Sequence, residues 1–208
     1  MTQLKVMVLA LACALIPAFS HAAGDAAAGK AAFAVCAACH GQNAEGNMAM
    51  NAPRLAGQEA WYLRRQLNAF KAGHRGTRPG DTFGMQMRPM TSAVAAPAAV
   101  DNLLAYLATL KPAASAVSVQ GDVNAGKAAY AVCGACHGQR AEGLEQMGGP
   151  GLAQQDDWYL VRSLQNFKKG LRGYAPEDTF GRQMAPMAAT LANDAAVNNV
   201  VSYIKSLR

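Results

Sequence analysis

The sequence reads CAACH at residues 36–40 and CGACH at residues 133–137. Two thiols three positions apart, followed directly by an imidazole, form the attachment signature of c-type haem. Each thiol adds to one vinyl group of the porphyrin, and the next residue's imidazole then ligates the iron. The two stretches therefore predict two covalently bound haem c groups. The attachment residues are Cys36, Cys39, Cys133 and Cys136, and the first axial iron ligands are His40 and His137.

Other uses of paired cysteines fit the sequence less well. A Cys-x-x-Cys pair can form a redox dithiol or half of a zinc site, but zinc ribbons bring their pairs together over short spacings. These pairs lie 97 residues apart, and a histidine follows each of them. The fifth cysteine, Cys13, lies in the N-terminal segment, so the two motifs account for every later cysteine.

Residues 1–22 have the features of a secretory signal peptide. Lys5 supplies the positive start, residues 6–19 are largely apolar, and Ser20 and Ala22 place small side chains at the two positions that signal peptidase inspects. We expect cleavage after Ala22 and export. The apolar run is shorter than the ~20 residues of a membrane helix. No later segment is apolar for long enough to span a bilayer, so the mature chain is predicted to have no transmembrane helix.

The rest of the chain is an ungapped internal repeat. Residues 24–110 align with residues 121–207 at a constant offset of 97, and 49 of the 87 aligned positions are identical. A period of this length indicates two whole domains. Proline and small residues between them indicate a linker. The predicted organisation is a signal peptide at 1–22, a first domain at 23–111, a linker at 112–120 and a second domain at 121–208.

The local pattern predicts an all-α fold. Asp25 and Asp122 stand where they would cap a first helix that runs into each haem motif. A second helix is expected to begin near Gln58 and Gln155, with apolar residues at i, i+4 and i+7. The last helix of each domain carries one apolar stripe. Because a chain of under 90 residues buries little of its own surface, each domain is expected to wrap around its haem.

A glycine-rich segment follows the second helix, at residues 73–84 and 170–181, and is predicted to be a loop. Each copy leads into Met-x-Pro-Met, with methionines at positions 87 and 90 and at positions 184 and 187. A thioether ligand gives haem iron a high reduction potential and leaves it no free site. The repetition in register favours a ligand role over ordinary core packing. Spacing alone does not choose between the two methionines of each pair.

Two prolines and one histidine complete the set of candidate site residues. Pro53 and Pro150 each follow the motif histidine by 13 residues. Their carbonyls are candidate acceptors for the second ring N–H of the ligating histidine, although each proline could simply form a turn. His74 is an alternative iron ligand only in the first domain, because its counterpart is Leu171.

The charge of the chain excludes one class of function and suggests a direction of docking. Without the signal peptide the chain carries 18 basic and 13 acidic residues, and the basic ones are scattered, which argues against nucleic-acid binding. Residues 24–111 have nine basic and five acidic residues, net +4, whereas residues 121–208 have nine and eight, net +1. An acidic partner is therefore expected to dock preferentially at the first domain.

Over essentially its whole mature length the sequence resembles the dihaem cytochromes of the cytochrome c4 family. The resemblance rests on Gly-Asp-Ala-Ala-Ala-Gly-Lys before Cys36, on the haem motif, on Pro-x-Leu after it and on Met-x-Pro-Met. It implies two fused class I c-type domains, exported to the bacterial periplasm, that pack about a pseudo-twofold axis with the haem propionate edges near the interface. It also implies Met87 and Met184 as the second axial ligands, with Met90 and Met187 as second choice. Candidate propionate contacts are Trp61, Tyr62, Arg75, Trp158, Tyr159 and Arg172.

Two equivalent closed haem sites predict an electron carrier rather than an enzyme. The family resemblance suggests a respiratory chain, with a membrane cytochrome complex as donor and a terminal oxidase as acceptor. Association with a membrane would then come only through these partners. An alternative is the dihaem electron-accepting subunit of a flavoprotein dehydrogenase such as sulfide dehydrogenase. A dihaem peroxidase needs one haem with an open or displaceable ligand, and the equal methionine spacing in both domains argues against it.

Overall fold

The computed structural model describes residues 24–112, 114 and 116–208, so the predicted signal peptide lies outside the described residues. Within them the chain forms helices joined by loops and two isolated β-bridges, with no strand. This confirms the predicted all-α fold. The α-helices are α1 Ala26–His40, α2 Ala60–Lys71, α3 Thr82–Met90, α4 Pro97–Thr109, α5 Val123–Tyr130, α6 Gly134–His137, α7 Asp157–Lys168, α8 Thr179–Ala189 and α9 Asp194–Ser206. Single 3-10 turns lie at Thr91–Val94 and Glu145–Met147.

The helix starts follow the predicted caps. Asp25 accepts hydrogen bonds from the backbone N–H groups of the first turn of α1, and Asp122 does the same for α5. Each satisfies donors that a helix N-terminus leaves without an intrahelical partner. The two domains differ after this point. Helix α1 runs unbroken to His40, whereas residues 131–133 form a turn between α5 and α6. Gly134 stands where the first domain has Ala37, and glycine weakens a helix by ~1 kcal/mol relative to alanine.

The core of each domain is a crossing between its first and last helices. The predicted apolar stripe is buried in both copies, which confirms that prediction. At the crossing the backbones approach closely: a Cβ built on Gly29 would lie 1.9 Å from the Asn102 carbonyl oxygen. A Cβ on Gly126 would lie 2.0 Å from that of Asn199. The stripe residues are Val100, Leu103, Leu104 and Leu107 in α4, and Val197, Val200, Val201 and Ile204 in α9.

The glycine-rich segments are shorter than predicted, and the methionines that follow them lie on helices. The prediction of a loop through Gly84 and Gly181 was wrong because α3 and α8 already begin at Thr82 and Thr179. The aspartate before each helix accepts the N–H of that glycine, at 3.1 and 3.0 Å. These side-chain caps stabilise the start of a helix in a stretch whose glycine and proline content is typical of a loop.

A buried carboxylate holds the end of the segment that joins the domains. Asp157, at the start of α7, accepts hydrogen bonds from the Ser118 N–H and hydroxyl and from the Val119 N–H. Burial raises the pKa of Asp157, but these hydrogen bonds outweigh it and the pKa is lowered overall. The hydrogen bonds fix residues 118 and 119 against the second domain.

The helix crossing gives a test of the packing. Gly29→Ala should destabilise the holoprotein by about 1–3 kcal/mol, because the new methyl group must push apart two backbones in a close-packed core. The measurement is chemical denaturation followed by the loss of helical signal. Gly134→Ala is the matched control, since its Cβ would meet only the end of the Gln139 side chain, at 3.0 Å. Equal destabilisation by both variants would contradict this account of the crossing.

Candidate haem-iron centres

Each haem motif lies at a helix end that positions its three reactive side chains together. Cys36, Cys39 and His40 occupy the last turn of α1, and residues at i, i+3 and i+4 share one face of a helix. In the second domain the motif spans the start and the end of the short helix α6. All four cysteines are half-buried thiols, and burial raises the pKa of Cys36 and of Cys133.

Both motif histidines are buried and oriented by a backbone carbonyl. Nδ1 of His40 lies 2.7 Å from the Pro53 oxygen, and Nδ1 of His137 lies 2.7 Å from the Pro150 oxygen. This confirms the predicted proline acceptors. A carbonyl oxygen only accepts, so Nδ1 carries the proton and Nε2 keeps its lone pair for a metal.

Burial lowers the pKa of both histidines, which favours the neutral ring that a metal requires. In both domains the hydrogen bond to the proline carbonyl raises the histidine pKa, against the larger effect of burial. At His137 the charge of Glu59, from the other domain, also raises the pKa. The second domain's histidine is therefore electrostatically linked to the first domain.

In the first domain the motif lines a largely apolar cavity. Its walls include Cys36, Cys39 and His40 from α1, and Met87 and Met90 from α3. Apolar side chains from α2 and α4 supply much of the remaining wall, and residues of α7 close it from the second domain. Thiols, an imidazole and thioethers facing one apolar cavity form the donor set that haem c requires. The apolar wall residues are Leu63, Leu67, Phe70, Leu103 and Leu107.

The two methionines of each pair differ in exposure. Met87 and Met184 are half-buried, whereas Met90 is 40% exposed and Met187 is 38% exposed. The first methionine of each pair is thus the better shielded from solvent.

Two buried arginines mark a site for anions between the domains. Arg75 and Arg172 lie over Phe70 and Phe167, with guanidinium carbons 4.3 and 4.4 Å from the ring centres. Among the described residues no hydrogen-bond acceptor reaches the Nε of either arginine. Buried cations with an unsatisfied N–H are costly unless an anion completes the site. A pair of haem propionates would supply such anions.

The candidate propionate contacts differ in their main partners, although Arg65 and Arg162 also lie over the rings of Tyr62 and Tyr159, at 5.3 and 5.4 Å. Arg172 lies 3.5 Å from the Tyr62 hydroxyl. Burial raises the pKa of Tyr159, but the charges of Arg75 and Arg172, together with hydrogen bonds to Arg75 and Ser163, lower it overall to about 7. These tyrosines and arginines therefore form one cluster. The tryptophans instead stack against other arginines: Arg65 lies over Trp61 and Arg162 over Trp158, at 5.0 Å in each case.

Those stacked arginines join the domains reciprocally. Arg65 donates to the Gly148 carbonyl at 2.7 Å and lies over the Phe180 ring. Its repeat counterpart Arg162 donates to the Asn51 carbonyl at 2.7 Å and lies over the ring of Phe83, the counterpart of Phe180. The same positions contact each other in both directions, as the expected pseudo-twofold packing requires.

A second reciprocal contact between the domains was not predicted from the sequence. Glu59 accepts the Gly151 N–H at 2.7 Å, and Asp156 accepts the Arg54 N–H at 3.0 Å. Burial raises the pKa of Asp156, although the N–H and the guanidinium of Arg54 counteract it. The signal in the sequence was the retention of an acid at both positions, 97 residues apart.

Two kinds of feature are absent from the described residues. Across residues 24–112, 114 and 116–208, no three His, Cys, Asp or Glu side chains come together as a metal-binding group. In the same part of the chain, no helix combines the length and the hydropathy needed to cross a membrane.

Comparison with known proteins gives concordant matches. A sequence model of the cytochrome c family matches twice, at residues 26–111 and 123–208. Cytochrome c4 of Azotobacter vinelandii is 36% identical over 98% of this chain and 99% of its own. The thiosulfate dehydrogenase electron acceptor of Stutzerimonas stutzeri is 30% identical over 83% of this chain and 78% of its own. The crystal structure of reduced recombinant cytochrome c4 from Pseudomonas stutzeri superposes with a TM-score of 0.71 at 28% identity, over 89% of this chain and 100% of that one.

Proposed function

The chain belongs to the cytochrome c family, within it to the dihaem cytochrome c4 proteins, and we propose that it is a periplasmic electron carrier. Two haem c groups are its cofactors. The observation that carries the proposal is the equivalence of the two sites. Each has a buried histidine held by a proline carbonyl at 2.7 Å and a half-buried methionine 47 residues further on.

We assign the haem attachment to the four motif cysteines, and the axial ligands to Nε2 of each motif histidine and the sulfur of the first methionine in each pair. When bound, each haem supplies one iron that cycles between the ferric and ferrous states. The chain's own side chains determine how readily it does so. A thioether ligand favours the reduced state, and the apolar side chains that line the first domain's cavity would shield its haem from water.

The partly buried methionines support this choice of ligand. Met87 and Met184 are the more shielded members of their pairs, whereas Met90 and Met187 have more than a third of their surface exposed. A thioether bound to iron in an apolar cavity is expected to be shielded from water. The buried arginine pair is assigned to the haem propionates, whose charge would complete the cluster around Arg75 and Arg172.

Because each proposed site has a methionine to close it, we assign the chain as a carrier rather than an enzyme. We propose a place in a respiratory chain, between a membrane cytochrome complex and a terminal oxidase. A second candidate function is the electron-accepting partner of a dehydrogenase. The similarity to the thiosulfate dehydrogenase electron acceptor supports it.

The test of the proposed function is a redox titration of the purified holoprotein, followed by visible and near-infrared spectra. We expect two haems per chain, both low-spin and both with the sulfur-to-iron band. One haem without that band would instead support a peroxidase-type site and overturn the proposal.

The ligand assignment predicts different outcomes for neighbouring methionines. Met87→Ala should remove about half of the near-infrared sulfur-to-iron band and lower one reduction potential, because one of two thioether ligands is lost. Met90→Ala is the matched control and should leave the band intact. The reverse result would move the ligand to Met90.

The uneven charge predicts uneven docking. Arg88→Ala, at an exposed position of the first domain, should slow reduction by an acidic redox partner several-fold at low ionic strength, because steering follows the local field. Arg182→Ala, at an exposed position of the second domain, should have a smaller effect. Stopped-flow reduction at a series of salt concentrations measures both. Equal salt dependence for the two variants would contradict docking at the first domain.

A further inference from the structure

Two peptide bonds link the proximal histidine of each domain to a carboxylate of the other domain. The Pro53–Arg54 peptide accepts the His40 Nδ1–H at its oxygen and donates its N–H to Asp156. The Pro150–Gly151 peptide accepts the His137 Nδ1–H and donates its N–H to Glu59. Each relay therefore runs from a carboxylate through one amide group to an imidazole, and crosses the domain interface.

We propose that Glu59 and Asp156 are positioning residues that tune the haem of the opposite domain through these peptides. An amide that donates to an anion is polarised, so its oxygen becomes a stronger acceptor. A stronger acceptor makes the histidine a more basic ligand, which stabilises ferric iron and lowers the reduction potential. The inference rests on the haem ligation proposed above.

The relays are built into the interface rather than being loose surface contacts. Glutamine side chains hold the carbonyl that follows each relay amide: Gln155 donates to the Arg54 oxygen at 3.1 Å, and Gln58 to the Gly151 oxygen at 3.2 Å. Each post-proline residue is thus fixed at its N–H and at its carbonyl by adjacent side chains of the other domain.

Glycines make room for the two carboxylates. Gly46 and Gly143 have φ of +86° and +91°, and their N–H groups bond the carbonyls of His40 and His137. A Cβ on Gly46 would lie 2.5 Å from the Asp156 carboxylate, and one on Gly143 would lie 2.5 Å from that of Glu59. The backbone conformation and the close approach both favour glycine here.

The two relays are unequal. Nε of Arg54 lies 3.6 Å from the Asp156 carboxylate, and both side chains are buried, so the guanidinium offsets part of that charge. The counterpart of Arg54 is Gly151, which has no side chain to form the same ion pair, and the charge of Arg65 acts on Glu59 without pairing with it. The effect on the second domain's haem should therefore exceed the effect on the first.

The variants Glu59→Gln and Asp156→Asn remove each charge while keeping an oxygen that can accept the N–H. We expect Glu59→Gln to raise the potential of the second domain's haem and to move the His137 Nδ1–H proton upfield in the reduced protein. Asp156→Asn should do the same, to a smaller extent, for the first domain's haem and His40. Redox titration combined with proton NMR of the holoprotein assigns each change to a domain.

Matched controls separate the relay from a general effect of charge. Glu142 and Glu45 are carboxylates near the same histidines in sequence, but they accept the N–H groups of Arg140 and Asn43 in their own loops. Glu142→Gln and Glu45→Gln should leave both histidine protons in place. Glu59→Asp keeps the charge and the residue type found at position 156, and should retain the His137 resonance near its wild-type position.

The outcomes distinguish the relay from the proposed function. An unmoved His137 proton in Glu59→Gln, or equal changes at both haems, would overturn the relay while wild-type ligation stands. If the wild type itself lacks methionine–histidine ligation, the proposed function fails instead. Should Glu59→Gln not assemble with haem, Asp156→Asn and its own control decide the question in the other domain.

Discussion

The hydrogen bond from each motif histidine to a proline carbonyl is the constraint around which both domains are arranged. It assigns the proton to Nδ1, so Nε2 is the nitrogen left for iron. It also lies next to the domain interface, because the residue after each proline donates its N–H to a carboxylate of the other domain. One peptide bond in each domain therefore contacts both the histidine ring and the other domain.

The interface is isologous, as expected for a duplicated domain that packs against its own copy. Arg65 and Arg162 make the same contact in opposite directions, and so do Glu59 and Asp156. Two residues that lie 97 positions apart in the repeat therefore make two contacts of the same geometry, one from each domain. The arginine at positions 65 and 162 and the acid at positions 59 and 156 are retained in both repeats, as this reciprocity requires.

Much of the fold could be predicted because its determinants are local. Asp25 and Asp122 cap helices within three residues of themselves, and the stripe of the last helix repeats at helical spacing. The haem motif and the proline acceptor also have fixed spacings. Helices α3 and α8 were not predicted, because the glycine-rich composition of the stretch indicates a loop. In the structure the side chains of Asp81 and Asp178 cap both helices and start them there. The carboxylate relays were missed for a different reason. They join residues about 100 positions apart, and only the packing of the domains brings those residues together.

Equivalent sites need not have equal properties, and the structure shows where the equivalence ends. The histidine–proline hydrogen bonds are the same length in both domains, but Arg54 forms an ion pair with the carboxylate of one relay, whereas its counterpart Gly151 has no side chain to form one with the other. Gln66 accepts a hydrogen bond from Arg75, one of the two buried arginines, whereas the counterpart of Gln66 in the second domain is the shorter Ser163. Both differences lie at the interface, close to the groups that orient or neutralise the proposed haems. In a carrier with two centres, a difference in potential determines on which centre the first electron resides. Substitutions at the interface can therefore set the direction of internal transfer while each haem motif stays unchanged.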